Sequence, residues 1–484
     1  MKIHASGIHA LINDYALYAI CNQLQRGLAL LLLPVYTAYF TKGEFGAMEQ
    51  IYQTVMVLVL VTSLGLPQGL VRGFYLHSES EDDRRKMVGA LITFLAPLTL
   101  CVGALIFWQY EWIAGILLRG QGRPLWIQLA VAFYFSLILQ QLPLQLYKTL
   151  KQTKPYVFWS MLTFLLVATG NIYFIVVLGW GLTGMIFANV LGFGGTGILL
   201  CGAIHKQICW NFEWRRLAPL FAFGLPMLPA MLCRKILEIS DRYMIPYYHN
   251  LDELGLYVMG AKIAAILDAV LLVPFLYAWQ PFFYSLSNDP KAPHVFARIT
   301  HYLFLGLCFA FLSIEVAGPW ILTFVGHGKF DAAQPVMRWL VLSILFNGIQ
   351  YCISPGIHIC KKLTQELMMM VMAAGLNLLL NWALIPSYKG VGAAVATMVA
   401  YFFYLAATFV LSQRYYHVDY PWPRMGNILM QTSIVFCILT QIETVAVKCS
   451  VLAIYVFTGP GFDLWRHGEI QQIRFAHPLF SKKL

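Results

Sequence analysis

The chain has 484 residues, of which 59% are apolar and only 11% carry a formal charge. Ordinary globular chains contain about 25% charged residues, so this composition excludes a soluble enzyme and a disordered scaffold. The apolar runs are long and continuous, which also excludes the short alternating segments of a membrane β-barrel. The composition therefore predicts an all-α polytopic membrane protein.

Basic residues exceed acidic ones, with 33 Lys and Arg against 22 Asp and Glu, for a net charge of +11. In a soluble protein this excess would suggest nucleic acid as a partner. Here most of the cations fall in short loops between apolar segments, where they set the orientation of the spans. The ten cysteines form no CxxC pairs and are typical of small buried side chains. We therefore expect no nucleic-acid partner, no metal site and no cofactor.

In chain order, the sequence predicts about fourteen spans, since a helix needs ~20 mostly apolar residues to cross a bilayer. The predicted spans are 14–40, 51–73, 87–108, 125–147, 156–178, 182–204, 218–248, 254–283, 300–325, 334–358, 364–386, 391–413, 426–442 and 445–459. The last two are short and could instead be one bent or interfacial segment. No connection is long enough for a separate catalytic domain, and the N-terminus has no pattern typical of a cleaved signal peptide.

The loops predict an orientation for the chain. If the N-terminus is cytoplasmic, most loop cations fall on the cytoplasmic side, among them Arg84, Lys151 and Lys206. Few fall on the other side, Arg123 and Arg338 among them. Because positive charge favours cytoplasmic loops, both termini are predicted to be cytoplasmic.

The sequence also resembles itself at an offset of about 208 residues. The coincidences are Glu44-Phe45-Gly46 with Glu253-Leu254-Gly255, Phe74-Tyr75 with Phe283-Tyr284, Gly184 and Ala188 with Gly392 and Ala396, and Arg26 with Arg234. We interpret them as a duplication that gives two six-helix lobes related by a pseudo-two-fold axis along the membrane normal. The predicted divisions are an N-terminal lobe 1–207, a C-terminal lobe 208–417, a C-terminal helix pair 418–460 and a cytoplasmic tail 461–484.

Charged residues inside predicted spans are the candidate functional residues, because a charge at the bilayer centre costs about 2.5–3.5 kcal/mol and usually faces protein, water or a ligand. The candidate substrate-binding cations are Arg26, Arg72, Arg234, Lys235 and Lys262. The candidates for ion pairing or coupling are Asp14, Glu238, Asp241, Arg242, Asp268 and Glu315. The excess of cations over acids favours an anionic substrate group.

Each of these candidates also has a structural interpretation. Arg26 could be a structural cation, and Arg72 could extend its charge to the interface. Arg234, Glu238 and Arg242 follow one another at four-residue spacing on one helical face and could neutralise one another. Lys235 lies about 100° away around the helix and is interpreted as the extra cation.

Glycine and proline predict breaks in three spans. Gly65-Leu66-Pro67 is expected to interrupt the second span, Gly224-Leu225-Pro226 with Pro229 the seventh, and Pro274 the eighth. Proline in a spanning helix frees backbone carbonyls that neighbours or water must satisfy. These positions are predicted kinks.

Several segments taken together resemble the Wzx-type oligosaccharide flippases of the multidrug/oligosaccharidyl-lipid/polysaccharide (MOP) exporter superfamily. The matching segments are Glu44-Phe45-Gly46, residues 70–75, residues 224–229, Ser240-Asp241-Arg242-Tyr243, residues 254–262, residues 278–282, residues 377–381 and residues 390–394. Their order and spacing over residues 10 to 415 carry the resemblance.

The resemblance implies a MATE-like, V-shaped pair of lobes that moves an undecaprenyl-pyrophosphate-linked oligosaccharide from the cytoplasmic to the periplasmic leaflet. It implies a cationic cavity, to which Arg26, Arg234, Lys235 and Lys262 correspond by position. It also implies the bacterial inner membrane as location, and as partners the lipid-linked oligosaccharide, membrane lipids and a polysaccharide polymerase with its chain-length machinery. The C-terminal pair departs from the family pattern, which puts a lipid-tail groove there in doubt.

The resulting prediction is a flippase that works by alternating access and is not an enzyme. No GxxxxGK[ST] segment is present to bind ATP. One alternative is a multidrug or organic-cation exporter, which would need net acid in its cavity and is kept open by Asp14, Asp241 and Asp268. A second alternative, a membrane glycan polymerase, would need a large loop bearing carboxylates or histidine.

Overall fold

The computed structural model describes residues 17, 21, 24–25, 27, 30–76, 80–210, 213–287, 289–442 and 444–458. Within these residues the regular structure is helical throughout. The α-helices are α1 (Leu33–Tyr39), α2 (Lys42–Ser63), α3 (Leu66–Leu76), α4 (Glu81–Trp108), α5 (Tyr110–Leu118), α6 (Leu125–Thr149), α7 (Thr153–Ile172), α8 (Gly181–Ile204), α9 (Trp214–Tyr248), α10 (Leu251–Leu267), α11 (Val273–Ser285), α12 (Ala292–Gly326), α13 (Gln334–Ile353), α14 (Pro355–Ile359), α15 (Leu363–Tyr415), α16 (Trp422–Gln441) and α17 (Val445–Thr458).

Ten helical segments of the described part are long and apolar enough to cross a membrane. They correspond in order to the second through twelfth predicted spans, because the 53-residue α15 contains two of them. Its two parts meet at Lys389, whose φ of 55° is not helical. The first predicted span lies partly outside the described residues, and the last two correspond to α16 and the 14-residue α17. The all-α polytopic membrane fold class is confirmed.

The break predicted at Gly65-Leu66-Pro67 separates α2 from α3. Helix α2 begins with a capping box, in which the Thr41 hydroxyl accepts from the Glu44 backbone N–H and the Glu44 carboxylate accepts from the Thr41 N–H. Such caps satisfy backbone groups that a helix start leaves without partners. The helix ends at Leu64 and Gly65, whose φ values are 51° and 69°.

The interruption predicted for the seventh span is wrong. Helix α9 is continuous from Trp214 to Tyr248 although Pro219, Pro226, Pro229 and Pro246 lie inside it. Membrane helices tolerate proline where local adjustments satisfy the freed carbonyls. Pro274 instead lies in the first turn of α11, directly after the π-helical turn Asp268–Leu272 that joins α10 to α11.

The chain divides into two compact units. Over the described residues, the first unit comprises 17–258 and 378–393, and the second comprises 259–377 and 394–458, with the gaps given above. These divisions fall at different places from the lobes predicted at 1–207 and 208–417, which stay a prediction.

The first unit has a hydrophobic core between α3, α4 and α9, with fully buried Leu66, Leu91, Leu217 and Leu220. Glycines bring α3 and α9 into backbone contact there. A Cβ built on Gly65 would lie 2.3 Å from the Gly224 carbonyl oxygen. The two glycine positions therefore set how closely these helices pack.

In the second unit, α12 packs on α13. A Cβ on Gly318 would lie 2.7 Å from the Met337 Sδ, so the absence of a side chain admits the methionine. Trp279 of α11 donates its indole N–H to the Tyr351 carbonyl at 3.0 Å. Such contacts satisfy a polar group that burial would otherwise leave without a partner.

Candidate functional site

Three charged side chains form a partly exposed cluster on α9, which we call the α9 triad: Arg234, Lys235 and Glu238. Arg234 Nε lies 3.4 Å from Glu238 Oε1, and Lys235 Nζ lies 3.6 Å from Glu238 Oε2. Their side chains are 57%, 25% and 42% exposed in that order. Two cations thus share one carboxylate, which leaves the triad with a net charge of +1.

The triad changes the interpretation of Lys235 as a cation separate from the charge ladder. Positions i and i+3 are neighbours on a helix surface, just as i and i+4 are. Lys235 and Arg234 therefore both reach Glu238 from one turn earlier.

One turn further along α9, a buried charge cluster joins three segments of the first unit. The Arg242 guanidinium donates from Nε to Glu49 Oε1 at 3.2 Å and from Nη1 to the Glu238 carbonyl. Its Nη1 also lies 3.6 Å from Asp241 Oδ1. The other Asp241 oxygen accepts from the Tyr257 hydroxyl. The cluster thus places two acids beside one guanidinium.

The buried cluster depends on close packing between the starts of α2 and α10. A Cβ on Gly46 would lie 2.2 Å from the Leu251 carbonyl oxygen, and one on Gly255 would lie 2.1 Å from the Lys42 carbonyl oxygen. Only glycine permits this approach of α2 to α10. In this position α2 brings Glu49 within reach of Arg242 on α9. Gln53 then donates to the same Glu49 oxygen at 2.8 Å.

Glu49 is not among the residues predicted from the sequence. It lies just before the apolar run of the second predicted span, so it does not count as a charge within a span. The available signal is the four-residue spacing from Glu49 to Gln53. Such a spacing puts an acid and an amide on one face.

The remaining candidates in the first unit are Arg72, Arg26 and Asp14. The guanidinium of Arg72 is exposed and lies 4.7 Å from the centre of the Phe223 ring. This is a cation–π contact, whose strength depends on how far the cation is removed from water. Arg26 and Asp14 lie outside the described residues.

The second unit holds Lys262, Asp268 and Glu315. Lys262 is a half-buried residue of α10, and the half-buried Asp268 opens the π turn that follows. Glu315 is buried in α12 and receives two hydrogen bonds from Arg338, 2.9 Å from Nε to Oε2 and 2.5 Å from Nη2 to Oε1.

Arg338, counted above among the loop cations, lies in the second turn of α13 and within the predicted span 334–358. The two planar groups match in a bidentate ion pair, which is the strongest geometry available to an arginine and a carboxylate. Within the described ranges, no group of three His, Cys, Asp or Glu side chains is arranged to hold a metal ion.

Comparison with known proteins gives one family match. Residues 11–287 match the family model described as polysaccharide biosynthesis protein. A search of curated proteins finds no match.

Solved structures share the fold at low identity. The lipid II flippase MurJ in an inward closed conformation has a TM-score of 0.75 at 15% identity, over 93% of this chain and 99% of that one. An inward-facing multidrug resistance MATE family transporter of the MOP superfamily has a TM-score of 0.62 at 12% identity, over 84% and 96%. A MOP superfamily transporter from Pyrococcus furiosus, described as having a binding pocket of reverse polarity, has a TM-score of 0.56 at 12% identity. The match covers 86% of this chain and 96% of that one.

Proposed function

The chain belongs to the polysaccharide biosynthesis protein family, and from this premise we propose that it flips a polyprenyl-pyrophosphate-linked oligosaccharide from the cytoplasmic to the outer leaflet. The observation that carries the proposal is the α9 triad, which keeps a positive charge on a partly exposed face of a candidate membrane span. Charges at such positions mark substrate pathways more often than lipid contacts.

The physical obstacle to this transport is the passage of a charged, hydrated headgroup through hydrocarbon. A pyrophosphate and a hydrated glycan cannot cross hydrocarbon without a substitute for their water. In the proposal, Arg234 and Lys235 bind the pyrophosphate while the prenyl chain stays in lipid. Arg26, Arg72 and Lys262 are proposed to extend this set of cations. Alternating access then exposes the headgroup to one side of the membrane and afterwards to the other.

The location and partners follow from the same proposal. We place the protein in a bacterial inner membrane with both termini in the cytoplasm. There it would receive the lipid-linked oligosaccharide and hand it to a polysaccharide polymerase with its chain-length machinery. Asp14, Asp268 and Glu315 are the proposed candidates for coupling to an ion gradient.

Transport assays on α9 variants test the proposal. We expect Arg234→Gln with Lys235→Gln to slow translocation of a fluorescent prenyl-pyrophosphate glycan in proteoliposomes by about tenfold or more. A hydrogen bond to a charged group contributes about 1.5–3 kcal/mol, and about 1.4 kcal/mol is a factor of ten. Lys389→Gln is the matched control, because the exposed Lys389 pairs with Glu253 at 3.9 Å and not with the α9 triad. Equal rates in the α9 variant and the wild type would contradict the proposal.

A deletion strain separates the flippase from its two rivals. Accumulation of lipid-linked repeats on the cytoplasmic face supports flipping, whereas accumulation on the periplasmic face favours a polymerase. An exporter of organic cations would instead change resistance to cationic drugs and leave the surface polymer intact. Neutral substitutions at Arg26 and Lys262 that leave surface polysaccharide unchanged would also count against flipping.

A further inference from the structure

The first unit has a half-open cavity whose lining does not include the α9 triad. Its volume is about 360 Å³, which lies in the range of small-molecule sites. Helices α2, α3, α4, α6, α7 and α9 all contribute to its wall. We refer to it as the α2–α6 cavity.

One part of the wall is rich in hydrogen-bond acceptors. The hydroxyls of Thr62, Ser63 and Thr99 donate to the carbonyls of their own helices at 2.7, 2.9 and 2.7 Å. The Tyr134 hydroxyl competes for the Thr62 and Thr99 oxygens, so Ser63 is the hydroxyl whose lone pairs are available to a donor in the cavity. Gln68 adds a buried side-chain oxygen that accepts no hydrogen bond within the described part of the chain. The occupant that best satisfies this wall carries several O–H donors.

The wall carries one basic side chain and no acidic one among the described residues. Lys148 lines the cavity, and its Nζ lies 5.4 Å from the centre of the Tyr156 ring, which also lines it. Among the described residues, none that lines the cavity is acidic, and no carboxylate lies within 4.0 Å of the Lys148 ammonium. An organic cation would meet no counter-charge here, whereas a single anionic group would meet Lys148.

Apolar side chains lie among these polar groups, Met56, Val59 and Leu95 among them. A pyranose ring presents both C–H groups and hydroxyls, so it fits a wall that offers apolar and hydrogen-bonding side chains together. We propose that the α2–α6 cavity binds one hexose unit that carries a single anionic group. This inference rests on the proposed function and adds a requirement on the glycan, since the anion could be a phosphate or a sugar carboxylate.

Ligand binding to the purified full chain in nanodiscs tests the site. The probes are glucose 1-phosphate, glucuronate, glucose and inorganic phosphate, observed by saturation-transfer NMR and equilibrium dialysis. We expect Lys148→Gln to raise the Kd of the charged sugars about tenfold and to leave that of glucose unchanged. Gln68→Met should weaken all three sugars, because it removes an acceptor of their hydroxyls. A preference for glucose 1-phosphate or for glucuronate identifies the source of the anion.

Lys151→Gln is the matched control. Lys151 lies three residues from Lys148 and has the same kind of contact, 5.5 Å from the Tyr75 ring, but it does not line the cavity. Equal effects of Lys148→Gln and Lys151→Gln would overturn the inference. So would a wild type that binds no sugar, or one that binds inorganic phosphate as tightly as glucose 1-phosphate.

Translocation in the same preparations keeps the two proposals distinguishable. If the chain translocates the lipid-linked glycan but binds no charged sugar in the cavity, the inference fails and the proposed function stands. If it binds the charged sugars as expected but translocates nothing, the site stands and the proposed function fails.

Discussion

Arg242 is the residue on which the buried charges of the first unit depend. It contacts Glu49 and Asp241, which are both buried, and a backbone carbonyl of its own helix. A buried ion pair contributes little compared with apolar packing, but the loss of one partner leaves an uncompensated charge. This difference between the small contribution of a pair and the large cost of losing one partner matters here, because Arg242 is the cation beside two acids.

Removal of that cation should therefore destabilise the chain more than removal of either acid. We expect Arg242→Gln to lower the free energy of unfolding by about 3–5 kcal/mol and Glu49→Gln by less. The measurement is thermal unfolding in detergent. The double variant Glu49→Gln with Arg242→Gln should recover part of the free energy of unfolding lost in Arg242→Gln, because it removes one of the two carboxylates left without a cation.

The control for this series is Arg215→Gln. Arg215 lies on the same helix and is exposed. Its substitution should change the unfolding temperature little, as surface charges usually do. A loss equal to that of Arg242→Gln would refute the assignment of Arg242 as the neutralising group.

At the scale of elements, Gly65 in the turn before α3 and Gly224 in α9 hold these two segments at backbone contact. A Cβ on Gly224 would lie 2.5 Å from the Gly65 carbonyl oxygen. No real Cβ approaches backbone so closely, so the helices must separate to admit one. The separation would also disturb the core around Leu66 and Leu220.

Gly224→Ala should consequently lower the unfolding temperature, even though alanine favours a helix more than glycine does. Gly195→Ala in α8 is the control, because a Cβ there meets nothing within 4 Å. That variant should be neutral or more stable by up to about 1 kcal/mol, through the reduced entropy of the unfolded chain. Equal behaviour of the two variants in detergent melts would contradict the packing role of Gly224.

Sequence patterns identified the elements better than the contacts between them. Eleven of the fourteen predicted spans correspond in order to the ten candidate segments. Gly65-Leu66-Pro67 marked a true helix end, because a left-handed backbone suits glycine. Gly224-Leu225-Pro226 looks the same in sequence but lies inside a continuous helix. Tertiary packing decides whether such a segment ends a helix or continues it, and a local sequence pattern carries no information about that packing.

The same limit applies to the charged residues. The four-residue spacing of Arg234, Glu238 and Arg242 is enough by itself to put them on one helix face. The partners from other helices, Glu49 for Arg242 and Arg338 for Glu315, are 193 and 23 residues away in sequence. Only the packing of separate helices brings such pairs together.

At the scale of the whole molecule, the ten candidate spans make this a multi-pass membrane protein. Its loop charges then predict which side each loop faces. Lys206 lies in a short 3₁₀ turn after α8, and Arg123 lies between α5 and α6. The bias of positive charge toward the cytoplasm places the loop of Lys206 inside and that of Arg123 outside.

Thiol labelling of whole cells tests this orientation. In a chain whose ten native cysteines are replaced by alanine, Arg123→Cys should react with a membrane-impermeant maleimide in intact cells. Lys206→Cys should react only after the cells are permeabilised. The reverse pattern would invert the topology and, with it, the direction of the proposed transport.

Gly46 and Gly255 occupy equivalent places in the two predicted repeats, and in the folded chain each lies against backbone beside the other. A bulkier residue at either place would disturb both repeats at once. The two predicted repeats are therefore coupled at this contact, and a larger side chain in one of them would require a compensating change in the other.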